Sequence, residues 1–96
     1  MTLTERGILK SALITYGPKA QIMMCIEECA ELTNALAKLS RNRVTQMEII
    51  TELADVSIMV DQLAMMFGEG FFAAERDKKI NRLKERLEKA RKGDQP

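Results

Sequence analysis

The chain predicts an all-α domain, an antiparallel four-helix arrangement whose central pair carries one acidic motif on each member. Three observations point there. Apolar residues recur at alternating steps of three and four in two long stretches, the period of a helix packed against a partner. Capping boxes and glycine or proline steps punctuate the chain where helices would begin and end. The apolar content of 46% comes with only three Phe, one Tyr and no Trp, an aliphatic, methionine-rich stock that suits helices better than a sheet.

The first helix opens on Thr2-Leu-Thr-Glu5, with Thr2 as cap and Glu5 reaching back, and carries Ile8, Leu9, Ala12, Leu13 and Tyr16 on its buried side. Gly17-Pro18 closes it and starts the second, because glycine takes a left-handed stop and proline fits a first helical turn. The second helix is expected over about 18–39, with a seam of Ile22, Cys25, Cys29, Leu32, Leu36 and Leu39. After the polar connection SRNRV at 40–44, Thr45-Gln-Met-Glu48 forms another capping box, which gives Glu48 a structural task. The third helix runs to about Phe67 along a seam of Ile49, Leu53, Val56, Val60, Leu63 and Phe67, and Gly68 and Gly70 are expected to break it. A fourth helix is expected over about 72–92 with Ile80, Leu83, Leu87 and Ala90 at helical spacing, followed by a frayed tail over 93–96.

Ninety-six residues make one domain spanning 1–96, near the lower end of domain size. So much apolar helix surface on so short a chain points to a homo-oligomer, a dimer or a tetramer. The net charge of +1 gives no general pull toward nucleic acid or membrane. It is unevenly spread, with 6 basic and 9 acidic residues in 1–70 against 9 and 5 in 71–96. No stretch reads as a signal peptide or as a bilayer span, so a cytoplasmic protein is expected. Cys25 and Cys29, with no third cysteine and no histidine, make a poor zinc site and read as reduced core residues.

The chemistry lies in the acidic residues. Glu28 and Glu31 each stand one residue before a seam position of the second helix, and Glu52 and Asp55 do the same on the third. At about 100° per residue each pair lies along one edge of its stripe, roughly 60° apart. The midpoint between the motifs falls at about residue 41 to 42, inside the connection, so a helical hairpin brings the four carboxylates to one level. Carboxylates so placed repel unless a cation joins them, the alternative being four solvated acids along a helix edge. The absence of histidine removes imidazole zinc sites, the 2-His-1-carboxylate iron site, the Ser-His-Asp arrangement and the Glu-x-x-His di-iron bundle. An all-carboxylate set selects hard cations, Mg²⁺ first and Mn²⁺ as a substitute, and points to phosphate-ester or anhydride chemistry.

Glu27-Glu28-Cys-Ala-Glu31, followed after twenty residues by Glu52-Leu-Ala-Asp55, resembles the EExxE…ExxD signature of the MazG-like all-α nucleoside triphosphate pyrophosphohydrolases. The likeness covers about residues 20 to 67, half the chain. It implies hydrolysis of a nucleoside triphosphate to the monophosphate and pyrophosphate with magnesium, in dimers or tetramers of helical subunits. By motif position it makes Glu28, Glu31, Glu52 and Asp55 the metal ligands, and it gives Glu27 either a water-orienting task or a solvent-exposed place. Lys79 and Arg82 on the fourth helix, where the family often carries Lys and Arg, are candidates for the phosphates or form a solvated basic face.

Gln21, seven residues before Glu28 and so on nearly the same helical face, is a candidate contact to a base edge or a metal-bound water, with plain exposure as the alternative. Met24 and Met59 project beside the acidic pairs, either as a base-lining wall or as core. Two other classes stay open: a helical interaction module using the basic fourth helix, and a degenerate relative that binds metal or nucleotide without hydrolysis. The lack of aromatics for stacking argues against nucleic acid as the partner.

Overall fold

In the computed structural model, which describes residues 1–93, the chain forms four helices and no strand among the described residues. These are α1 (Leu3–Tyr16), α2 (Pro18–Leu39), α3 (Gln46–Phe67) and α4 (Glu69–Arg91). The frayed tail expected over 93–96 lies, from residue 94 onward, outside the described residues.

Local chemistry accounts for each boundary. At the start of α1 the Glu5 N–H donates to Thr2 Oγ1 and the Thr2 N–H to Glu5 Oε2, both at 3.0 Å. At α3 the Glu48 N–H donates to Thr45 Oγ1 at 3.2 Å and the Thr45 N–H to Glu48 Oε2 at 2.8 Å. Each box satisfies amides that the first helical turn leaves without partners, and Glu48 is thereby committed to the helix start. Gly17, at φ 87°, ends α1 by donating to the Leu13 carbonyl and begins α2 by accepting from Gln21. No other residue type takes that backbone conformation without strain.

Gly68 does the equivalent work between α3 and α4, at φ 139°. Its N–H donates to the Ala64 carbonyl, and its own carbonyl accepts from Phe72. That single glycine suffices as the break. Gly70, expected to take part in it, instead sits in the first turn of α4, which therefore starts three residues before the anticipated Phe72. A side chain at Gly68 would also meet the Phe71 ring at 3.0 Å.

The connection at 40–45 folds back on the last turn of α2. Arg41 and Arg43 both donate their N–H groups to the Lys38 carbonyl at 3.0 Å, and Asn42 takes the left-handed conformation at φ 56°. Asparagine tolerates that conformation better than most residues. The result brings Arg43 beside Lys38.

Helices α2 and α3 make the most extensive contact of the fold, α1 leans on both, and α4 packs chiefly on α3. Gln62 ties α3 to α1 by donating to the Leu9 carbonyl at 3.3 Å, and an Arg6–Glu69 ion pair with two hydrogen bonds ties α1 to the start of α4. From Gly70 onward every described residue of α4 is exposed.

The packed face of the central pair differs from the expected seam. On α2 it runs through Gln21, Cys25, Glu28, Leu32 and Ala35, while Cys29, Leu36 and Leu39 are exposed. On α3 it runs through Glu52, Val56, Met59, Leu63 and Met66, while Leu53, Val60 and Phe67 are exposed. In each helix alternate seam positions have shifted by one residue toward the acidic side. The apolar surface of each helix is wider than one contact can cover. Among the described residues the buried apolar side chains are small Ala35 and Ala64 and the larger Met59. Glu28 and Glu52 thus stand in the contact itself, while Glu31 stays exposed.

Replacing Thr45 by Ala leaves α3 without its cap, at a cost of about 1 kcal/mol. In a domain of this size that lowers the melting temperature by roughly 4–8 °C. Thermal unfolding followed by circular dichroism checks this, and an unchanged midpoint would remove the capping box from the account.

Candidate metal centre

The turn of α2 that carries Glu28 and Glu31 packs level with the turn of α3 that carries Glu52. One carboxylate oxygen from each of these three residues lies within 4.8 Å of the other two. Asp55 stands outside that trio yet acts electrostatically on both Glu28 and Glu52. Glu27, one position along the helix, is exposed and also outside it. The sequence pattern therefore brings three of its four expected ligands into one cluster and keeps the fourth within electrostatic range.

The cluster carries uncompensated negative charge. Glu28 Oε2 and Glu52 Oε2 are both shut off from solvent and accept no hydrogen bond. No lysine or arginine pairs with any of the four acids among the described residues. Partial burial raises the Glu28 carboxyl above the ordinary carboxylate range, with Glu31, Asp55 and Glu52 adding to the effect. Burial likewise raises Glu52, followed by Glu31 and Asp55. A shielded carboxylate oxygen without a partner is costly, and a chain normally supplies one.

A hard divalent cation fits these donors. Magnesium binds oxygen at about 2.1 Å, which sets neighbouring ligand oxygens roughly 3 Å apart and opposite ones about 4.2 Å apart. The trio's oxygens, within 4.8 Å of one another, lie near that range, and the trio offers neither sulfur nor imidazole to favour a softer metal. Glu28, Glu31 and Glu52 could therefore hold Mg²⁺ or Mn²⁺, with Asp55 within electrostatic range of Glu28 and Glu52.

The remaining candidates are more scattered. Gln21 is 5% exposed, on the packed face of α2 two turns before Glu28. Met59 is core and Met24 is exposed. Lys79 and Arg82 stand on the exposed length of α4, and neither lines the hollow beside the acidic trio. Cys25 and Cys29 are free thiols, and burial raises Cys25 with its neighbour Cys29 adding to the shift.

Two features escaped the sequence reading. Gln62 is 3% exposed, and its Oε1 has no hydrogen-bond partner. The signal was there, since Gln62 follows Asp55 by seven residues as Gln21 precedes Glu28 by seven. The second is a hollow of about 250 Å³ at the end of the central pair nearest the connection. Glu31 and Glu52 line it, together with Asn34, Lys38, Arg43 and Glu48 and the apolar Ala35 and Val44. Asn34 and Lys38 follow Glu31 at steps of three and four, so the same periodicity that placed the acids could have found them.

The raised Glu28 and Glu52 carboxyls give a pH dependence of definite sign. A carboxyl raised on folding favours the protonated fold, so its contribution is present below the ordinary carboxylate range and lost as pH rises through the raised value. In metal-free protein at about pH 7, Glu52→Gln should therefore melt above the parent chain, and that advantage should shrink toward about pH 4. Glu69, held below the ordinary range chiefly by its hydrogen bond from Arg6, has the opposite dependence but is common to both proteins. A melting difference that stays constant across this range would contradict the electrostatic reading. Comparison with protein-family models, with curated proteins and with solved structures gives no match for this chain.

Proposed function

We propose that this chain is a magnesium-dependent nucleoside triphosphate pyrophosphohydrolase, converting a ribo- or deoxynucleoside triphosphate to its monophosphate and pyrophosphate. The observation that carries the reading is the acidic trio itself, three oxygens within 4.8 Å with two shielded carboxylate oxygens that no group among the described residues satisfies. The MazG-like resemblance of the two motifs supports the same chemistry. In this reading α2 and α3 run antiparallel, and Asp55 completes the ligand set.

Magnesium, when bound, supplies charge neutralisation and polarisation at the phosphate oxygens, and Mn²⁺ is a workable substitute. The chain's own residues hold the site. Glu28, Glu31, Glu52 and Asp55 bind and orient the cation, and the packed helix contact around them limits water. A water oxygen adds to the α-phosphorus, the bond from that phosphorus to the bridging oxygen breaks, and pyrophosphate leaves. One of the carboxylates takes the proton of the attacking water. Glu27 orients water at the rim, and Lys79 and Arg82 meet the substrate from α4, which requires α4 to lie near a site.

The exposed apolar residues support a homodimer or homotetramer. Met23, Ile26, Leu36, Ile50, Leu53 and Ile58 are each about half exposed, on the two helices that carry the site. A lone soluble subunit rarely leaves so much apolar surface uncovered. No helix of the described residues is long and apolar enough to cross a membrane. A cytoplasmic enzyme acting in nucleotide-pool housecleaning fits these features.

The basic α4, exposed from Gly70 onward, favours a second reading, a helical interaction module that docks on an acidic partner. One set of measurements separates the two. For the enzyme, a panel of nucleoside triphosphates with Mg²⁺ releases pyrophosphate from at least one member, and Glu52→Gln lowers the rate by about a hundredfold or more while helicity is kept. Light scattering on the same preparation should read a dimer or larger. Orthophosphate release alone would move the chain to another hydrolase class. No turnover, with Glu52→Gln silent and charge reversal at Lys79 and Arg82 decisive for partner capture, would favour the module.

A further inference from the structure

From the hollow beside the acidic trio we infer that Lys38 and Arg43, assisted by Asn34, are the residues that grip the polyphosphate part of the substrate. The inference rests on the pyrophosphohydrolase reading and assigns it a specific anion site. Two walls of the hollow are Glu31 and Glu52, so an anion seated there lies against the cation those residues could hold. Lys38 comes from the last turn of α2 and Arg43 from the connection, which folds back to put the two side by side.

Both cations are uncommitted. Glu31, Glu48 and Glu52 line the same hollow, yet neither Lys38 nor Arg43 forms an ion pair with a described residue. Glu48 is instead held by its capping box at Thr45. That box also occupies the start of α3, which would otherwise be a natural place for an anion, so the grip falls to side chains. The charge balance agrees. Four carboxylates and one divalent cation leave a net negative site, and a pyrophosphate group can enter only where further positive charge is supplied. Arginine offers a planar fork to phosphate and lysine a point charge. Asn34 adds an amide donor.

Size sets the limit of the site. At about 250 Å³ the hollow is smaller than the roughly 300–1,000 Å³ of pockets that enclose a whole drug-sized ligand. It suits the phosphates and leaves sugar and base outside. One site then handles many triphosphates through their common part, and base selection falls to surfaces beyond it.

Inorganic pyrophosphate, titrated calorimetrically into the full chain at saturating Mg²⁺, tests this without turnover. Lys38→Met and Arg43→Gln should each weaken pyrophosphate by roughly tenfold, and the pair together by roughly a hundredfold. Lys38→Arg should restore most of the loss. Mg²⁺-induced thermal stabilisation should persist in all four variants, because the acidic trio is intact. Lys89→Ala, on the far turn of α4, should leave pyrophosphate binding unchanged. Unaltered pyrophosphate affinity in the double variant, with Mg²⁺ still stabilising it, overturns the assignment and leaves the enzyme reading in place. The same holds if the loss follows Lys79→Ala and Arg82→Ala instead. Failure of Mg²⁺ to stabilise the parent chain overturns both.

Discussion

The structure depends on one electrostatic constraint: acidic side chains from two helices occupy the surface along which those helices pack. A helix contact is normally closed with apolar groups, since shielding a carboxylate without a partner is unfavourable. Here Glu28 and Glu52 take positions in the packed face, between Cys25 and Leu32 on one helix and beside Val56 on the other. Repulsion among the acids opposes the fold, and apolar packing farther along holds it together. In the proposed function, a divalent cation would turn the same groups from a liability into a link between the two helices.

The other elements follow from keeping that level in register. The capping boxes at Thr2 and Thr45 fix where α1 and α3 begin, and hence which turn of α3 faces Glu28. The folded-back connection at 40–45 closes the end of the pair and places two unpaired cations next to the acids. Arg6 and Glu69 hold α1 to the start of α4. Farther along α4 the apolar residues Ile80, Leu83 and Leu87 remain about half exposed.

Much of this was legible in the residues. The four helices, both capping boxes, the Gly17-Pro18 step and the meeting of Glu28, Glu31 and Glu52 all follow from periodicity and from the local chemistry of single residues. Three points did not. Gly70 looks like a breaker on paper, but one glycine at positive φ is enough, and a second can sit in a first helical turn. The seam turned by one residue because the apolar surface of each helix is broad, and a pattern shared by two registers cannot by itself say which one a single chain will bury. The hollow was missed because Arg43 belongs to a connection whose path depends on backbone hydrogen bonds to Lys38 rather than on any repeat.

The most direct measurement is paramagnetic: substoichiometric Mn²⁺ added to the isotope-labelled full chain, with backbone amide signals followed by nuclear magnetic resonance. A cation shared by the two helices broadens the signals of Glu28, Glu31, Glu52 and Asp55 first, then those around Lys38 and Arg43, and Glu52→Gln abolishes the pattern. Broadening centred on other acids such as Glu5, Asp61 or Glu69, or none at all, would contradict the claim that α2 and α3 are joined through a common ion.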